Sequence, residues 1–184
     1  MSEIIRALTG REMSKLLPKT PVVTYNELKT MSNLDNLLRQ SGQFIVLYME
    51  ESDYGHWVCV FIHNNQINFF DSYGLAPDSL QLKGVDPKVI RDQNEDRPYL
   101  TNLLTGSGYP VNWNRYRVQG RNVSTCGRHC VVRLYLKSLN DDQYHQFLKS
   151  FEVDPDIIVT IITENIFQGF PTSIKDLKEL LRKK

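Results

Sequence analysis

The order of apolar and polar positions divides the chain into a helical beginning, a strand-rich centre and a helical end. Up to residue 40, leucines and other apolar residues recur at intervals of three and four, which is typical of amphipathic helices. We predict three short helices there, with N-terminal caps at Thr9 or Gly10, at Thr24 and at Ser32 or Asn33. We interpret these helices as scaffold, with one wall of a binding groove as the alternative.

The centre of the chain contains short apolar runs of strand length. The first covers 44–49, and two more lie within 55–73, where Asn64 and Asn65 form a turn between them. These runs predict a hairpin and a sheet of at least three strands. Because successive residues are apolar, both faces of the sheet should be covered by helices. An alternating stretch at 111–118 predicts one further strand.

The remaining segments are predicted as an irregular insert and a series of helices. Residues 75–110 contain many prolines and glycines, and short helices are expected only at 87–94 and 99–104. Such an insert beside an active site often determines substrate specificity. The alternative is a surface loop without a function of its own. We expect four further helices, beginning near Cys126, Asn140, Asp154 and Thr172 or Ser173.

Length and composition indicate one globular domain over 1–184. The chain is 41% hydrophobic and 23% charged, which is ordinary for a soluble domain with a sizeable core. Together with the patterns above, this predicts an α+β fold in which a central mixed or antiparallel sheet is flanked by helices. The net charge of +1 provides no strong field that would attract nucleic acid or a membrane.

The cysteines and the N-terminus both argue against secretion. Three cysteines cannot all pair, and their spacing does not repeat, which favours free thiols in a reducing compartment. The N-terminus lacks the apolar core of a secretory signal, and no apolar run is long enough to span a bilayer. We therefore expect a protein that is neither secreted nor embedded in a membrane.

An irregular polar stretch leads into the helix that begins at Cys126. Ser124 and Thr125 are good N-caps, which would place the cysteine in the first helical turn. Unpaired backbone N–H groups and the helix dipole favour an anion there, so they stabilise a reactive thiolate. Gln119 lies shortly upstream, and its amide could return to the same pocket as a donor. Gly127 would let another chain, such as a substrate, approach closely.

A nucleophilic thiol needs a base, and the base needs a partner that orients it. His56 begins the first strand of the predicted hairpin and Asp71 ends the second, so the two should be neighbours. Ser72 is an alternative nucleophile, but its place directly after the acid disfavours that role. The other histidines lack such a neighbour and are expected to be ordinary polar residues: His63, His129 and His145.

The order of these residues resembles that of the adenovirus-type cysteine proteases and their relatives, the SUMO-specific proteases. Four motifs carry the resemblance, in this order: His56-Trp57, 71–74, Gln119 and Cys126-Gly127. The run at 118–127 is most similar to the adenovirus enzyme. The run at 70–74 is closer to the SUMO proteases, because the adenovirus enzyme has glutamate at the acidic position. Papain-like enzymes place cysteine before histidine and are excluded.

The resemblance implies the adenain-like fold, with the nucleophile at the N-terminus of a central buried helix, and a role for each residue of the site. The implied catalytic residues are Cys126 as nucleophile, His56 as base, Asp71 as the acid that orients the base, and Gln119 as oxyanion donor. Trp57 would fix the imidazole and border the oxyanion region, and Gly127 would support substrate binding.

The activity implied by the resemblance is hydrolysis of peptide bonds at glycine-containing sites. Because the adenovirus-type enzymes cleave virion precursors, we expect a capsid maturation protease of a double-stranded DNA virus, virophage or virus-like element. It would act in the host cytoplasm, the viral factory or the virion. The alternative is an isopeptidase that removes ubiquitin or a SUMO-like modifier. A non-enzymatic binding module is the third possibility, which the complete catalytic set disfavours.

No cofactor or metal is expected. Cys126, His129 and Cys130 share one helical face, but zinc usually needs a fourth ligand, and only Cys59 is left, in a strand. The resembled adenovirus enzyme is activated by a peptide that is disulfide-linked to a cysteine upstream of its glutamine. The corresponding segment, 105–108, has no cysteine. We therefore expect a monomer that acts on a protein substrate without a disulfide-linked activator and without activation by DNA.

Overall fold

A mixed five-stranded sheet forms the centre of the fold. The computed structural model describes residues 6–51, 54–79, 87–92, 97–170 and 173–182. The strands follow one another in space as they do in the chain: β1 Val22–Thr24, β2 Gln43–Glu51, β3 Tyr54–His63, β4 Gln66–Phe70 and β5 Val111–Trp113. The central three strands are antiparallel, and the edge strands β1 and β5 run parallel to their neighbours.

The predicted hairpin between β3 and β4 is confirmed. Asn64 and Asn65 have φ angles of 51° and 56°, the positive values that a type I′ hairpin turn requires and that asparagine tolerates. The register pairs Cys59 with Phe70. His56 and Asp71 therefore lie at the same end of the sheet.

The strand predicted over 111–118 is wrong beyond Trp113. The side chain of Asn114 interrupts the ladder, because its Oδ1 accepts from the Asp71 N–H at 2.9 Å and its Nδ2 donates to the Asp71 carbonyl at 2.7 Å. The exposed residues that follow run as an irregular segment toward Gln119.

Nine helices are present in the described parts of the chain. They are α1 Gly10–Leu16, α2 Tyr25–Leu28, α3 Asp35–Leu38, α4 Pro87–Asp92, α5 Tyr99–Thr105, α6 Cys126–Tyr135, α7 Asp141–Lys149, α8 Pro155–Phe167 and α9 Ile174–Arg182.

Most of the predicted N-caps are confirmed by side-chain hydrogen bonds. Thr9, Thr24 and Asn140 each belong to a capping box, and Asp154 caps α8. The cap position of α3 is Leu34, which directly follows the two predicted positions Ser32 and Asn33, although the Asn33 side chain still accepts from a backbone N–H of that helix.

At α9, Ser173 accepts from the Asp176 N–H at 3.1 Å, as its predicted cap role requires. The alternative start at Thr172 and the predicted end of α4 at 93–94 lie outside the described residues.

Two hydrophobic layers cover the two faces of the sheet, as predicted. Alternate residues of β3 point to opposite sides: Cys59 and Phe61 pack in the layer with α1, α6 and α8, whereas Val58 and Val60 pack in the layer with α2 and α5. The α+β prediction, with a mixed sheet flanked by helices, is confirmed. Within the described ranges, no helix is long and apolar enough to cross a membrane.

Helix α6 lies in the centre of one layer, and every residue from Cys126 to Leu134 is buried. Two arginines of this helix are almost completely buried, and each has its charge balanced by a carboxylate. Arg128 reaches the Glu164 carboxylate at 2.8 Å, and Arg133 reaches Asp141 at 3.2 Å and stacks over the Phe61 ring. Because an unpaired buried charge is costly, these contacts fix the helix against α7 and α8.

Candidate active site

The end of the β3–β4 hairpin brings His56 and Asp71 into contact. His56 Nε2 donates to Asp71 Oδ1 at 2.9 Å, and the two side chains are only 3% and 1% exposed. Asp71 Oδ1 also accepts the Tyr73 N–H at 2.8 Å. Since Asn114 binds both backbone groups of Asp71, the carboxylate has a fixed position from which it orients the imidazole.

Cys126 is the first residue of α6, and its thiol is the second interaction partner of His56. Burial lowers the pKa of His56, but the hydrogen bonds and charges of Asp71 and Cys126 outweigh it and raise that pKa to about 10. The raised pKa favours the protonated form of the imidazole at neutral pH.

Tyr73 forms one wall of this site, a role that the sequence analysis did not assign. Its ring stacks on the His56 imidazole, with centroids 4.8 Å apart and planes 9° from parallel. The Arg117 guanidinium lies 4.8 Å from the centroid of the Tyr73 ring. The only signal in the sequence was the position of Tyr73 inside the motif at 70–74, which does not distinguish a packing role from a polar one.

Gln119 is buried beside the loop that follows Asp71. Its Oε1 accepts from the Ser72 hydroxyl at 2.6 Å, and its Nε2 donates to the Val123 carbonyl at 2.6 Å and to the Tyr73 hydroxyl at 3.3 Å. The amide is thus oriented by the residues around the His56 pair, and its N–H groups are directed at acceptors within the protein. Ser72 donates to Gln119, which is unlike the nucleophile of a serine triad.

Trp57 and Gly127 pack against each other beneath the site. A side chain at Gly127 would come within 3.3 Å of the Trp57 ring and 3.2 Å of Leu8 Cβ, so glycine allows α6 to approach these residues. The Trp57 indole donates to the Leu8 carbonyl at 3.1 Å, and the Trp57 carbonyl accepts from the Cys130 thiol at 3.4 Å. The space at Gly127 is therefore filled by residues of the same chain.

Thr125 occupies the N-cap position of α6, but the predicted side-chain cap is absent there. Its hydroxyl donates instead to Asp156 Oδ1, which also accepts from His129 Nε2 at 2.9 Å. Asp156 Oδ2 accepts the Gly120 N–H at 2.8 Å. His129 is thus a completely buried residue with an acidic partner, whereas the sequence analysis expected an ordinary polar residue.

The carboxyl group of Asp156 is stabilised as an anion. Burial raises its pKa, but hydrogen bonds from His129, Thr125 and Gly120 outweigh this and lower the pKa below its usual value. In the described parts of the chain, no three His, Cys, Asp or Glu residues are grouped so that they could hold a metal ion.

The three thiols should differ strongly in their rate of alkylation. At mildly acidic pH, iodoacetamide is expected to modify Cys126 far faster than Cys59 or Cys130, because Cys126 interacts with His56, whose pKa is raised. Cys59 and Cys130 are fully buried, and burial raises the pKa of the Cys130 thiol well above its usual range. Peptide mass spectrometry measures the sites, and comparable modification of Cys130 would show that Cys126 is not the activated thiol.

Comparison with known proteins finds a clear relative in a virophage. The uncharacterized protein V9 of the Sputnik virophage is 33% identical over 165 residues, which cover 85% of this chain and 94% of V9. No protein-family model matches the chain.

Two solved structures show a more distant likeness. The C-terminal Ulp1 protease domain in complex with Smt3, the yeast ortholog of SUMO, is 14% identical with a TM-score of 0.42, and the match covers 89% of this chain and 77% of that one. The ASFV pS273R protease is also 14% identical, with a TM-score of 0.43 and coverage of 84% and 66%. These TM-scores are too low to assign a function to the chain.

Proposed function

The chain belongs to the same family as protein V9 of the Sputnik virophage, and from the geometry of its site we propose that it is a cysteine endopeptidase. One arrangement supports this above all others: the buried His56 donates to Asp71 at 2.9 Å, and its other interaction partner is Cys126 at the start of α6. A nucleophile, a base and a group that orients the base are the parts that covalent hydrolysis needs.

In the proposed mechanism, the Cys126 thiolate attacks the carbonyl carbon of the scissile peptide bond. The backbone N–H of Cys126 lies in the first turn of α6, where it has no partner within the helix, and it stabilises the oxyanion. The Gln119 amide is the second donor, and it would turn from the Val123 carbonyl to reach the oxyanion. His56 protonates the leaving amine, and water then hydrolyses the thioester as His56 takes up its proton.

The proposed substrate is a virion precursor protein, cleaved at a glycine-containing site during capsid maturation. The similarity of 118–127 to the adenovirus enzyme and the virophage source of the relative support this choice. The enzyme would act as a monomer in the host cytoplasm, the viral factory or the virion. Removal of ubiquitin or a SUMO-like modifier is the second candidate, and it is favoured by the motif at 70–74.

Purified protein and two substrates separate these functions. We expect the chain to cleave a structural protein that is encoded next to it, as measured by gel electrophoresis and mass spectrometry of the new termini. The matched control is the same protein after complete alkylation of Cys126, which should be inactive. Release of a diglycine-linked modifier, without cleavage of the structural protein, would support the isopeptidase instead. Hydrolysis of neither substrate would support a binding module.

A further inference from the structure

A single carboxylate connects the two ends of the loop between the proposed oxyanion donor and the proposed nucleophile. We define this loop as residues 120–125, with Gln119 immediately before it and Cys126 immediately after it. At its start, the Gly120 N–H donates to Asp156 Oδ2 at 2.8 Å, and at its end the Thr125 hydroxyl donates to Asp156 Oδ1. Asp156 itself belongs to α8.

We infer that Asp156 is a positioning residue that fixes the distance between the Gln119 amide and the Cys126 thiol, an inference that rests on the proposed function. The 120–125 loop belongs to no helix or strand of the described structure, so no backbone ladder holds its ends together. The carboxylate of Asp156 takes the place of such a ladder. In an enzyme, a displacement of about 1 Å between groups that act together can lower the rate roughly 10²-fold.

Three residues around the Asp156 carboxylate have features that favour its contacts with the loop. A Cβ at position 120 would lie 2.9 Å from Asp156 Oδ2, so any side chain larger than hydrogen would push the carboxylate away. Thr125 uses its hydroxyl for Asp156 although a threonine at an N-cap position usually accepts from the helix. His129, one turn into α6, donates to Oδ1 at 2.9 Å and prevents the carboxylate from rotating.

A purely structural role and a positioning role for Asp156 predict different effects of its replacement on the reactions of Cys126. Loss of a structural contact would lower stability and slow every reaction of Cys126 together. Loss of positioning should slow peptide hydrolysis alone, because alkylation of the thiol by iodoacetamide forms no oxyanion and does not need Gln119. The ratio of the two rates is therefore the diagnostic quantity.

The test uses Asp156→Asn, whose side chain has the same shape but cannot accept hydrogen bonds at both ends. We expect kcat for peptide hydrolysis to fall by about 10-fold to 10²-fold, KM to change by less than about threefold, and the alkylation rate of Cys126 to stay within about threefold of wild type. Gln119→Ala should show the same pattern. Asp154→Asn is the matched control. Asp154 is the exposed N-cap residue of the same helix, and asparagine is an equally good N-cap.

A second pair of variants tests the inference if Asp156→Asn does not fold. Thr125→Val removes the contact beside Cys126 and should also lower kcat without lowering the alkylation rate, and Thr125→Ser, which keeps the hydroxyl, should restore most of the loss. Equal losses of hydrolysis and alkylation, or wild-type hydrolysis in both Asp156→Asn and Thr125→Val, would overturn the inference. A wild-type chain that alkylates at Cys126 but hydrolyses no peptide would instead overturn the proposed function, and the inference with it.

Discussion

Replacement of Cys126 by alanine is expected to lower kcat for peptide hydrolysis roughly 10⁶-fold, the usual loss when the nucleophile of a catalytic triad is removed. The variant cannot form the thioester, and His56 loses the thiol that it would activate. The folded structure should persist, because Cys126 lies at the start of α6 and alanine is a good helix former. Substrate binding should therefore survive and can be measured separately from turnover.

Cys59→Ala is the matched control for this experiment. Cys59 is also a buried free cysteine, but its thiol points toward the Cys130 carbonyl, 3.9 Å away, and not toward His56. Its replacement should leave kcat near the wild-type value and cost only stability through a small cavity. If Cys126→Ala retained activity within about 10²-fold of wild type, a residue other than Cys126 would have to be the nucleophile.

Asp71→Asn is expected to lower kcat about 10⁴-fold while the site stays assembled, as in triads whose acid is replaced by its amide. Asparagine can still contact His56 Nε2, but it cannot stabilise the imidazolium and can hold the ring in the wrong tautomer. The pKa of His56 should fall from about 10, because the Asp71 hydrogen bond is the largest of the causes that raise it and the Asp71 charge adds to it. The variant should also lose rapid alkylation of Cys126 at mildly acidic pH.

The same variant should change how stability depends on pH. His56 has a folded-state pKa of about 10 against 6.5 for a free histidine, so its contribution is fully present below pH 6.5 and is lost as the pH rises through 10. The difference in the free energy of unfolding between wild type and Asp71→Asn should therefore shrink between pH 6 and pH 10. Denaturant titrations at several pH values measure this difference.

Asp78→Asn is the matched control for Asp71→Asn. Asp78 is also buried, but it binds the Tyr25 and Tyr48 hydroxyls in the layer on the other side of the sheet. Its replacement should cost stability and leave kcat of the folded protein unchanged. A kcat of Asp71→Asn within tenfold of wild type would remove Asp71 from the proposed mechanism.

The His56–Asp71 pair could be predicted because it depends on local structure. Two strand-like runs and an Asn-Asn turn fix the hairpin register, and that register alone brings the two residues to one end of the sheet. The helix caps were predictable for a similar reason, since a cap contacts a backbone group only two or three residues away.

The Asp156 contacts could not be predicted, because they join residues far apart in the chain. Gly120, Thr125 and His129 meet a carboxylate about 30 residues downstream, and no periodicity marks such a meeting. Likewise, the alternation after Trp113 suggested a longer strand, but the Asn114 amide binds the Asp71 backbone and ends the ladder. In both places the structure is determined by a hydrogen bond from a side chain that is distant in sequence, which local sequence patterns do not indicate.

The place of Asp156 in the chain has a consequence during synthesis. His56, Asp71 and Cys126 all leave the ribosome before α8 does, so a growing chain contains all three proposed catalytic residues before it contains the carboxylate that binds both ends of the 120–125 loop. If Asp156 positions the catalytic groups as proposed, the nascent chain remains a poor protease until α8 emerges and packs against α6.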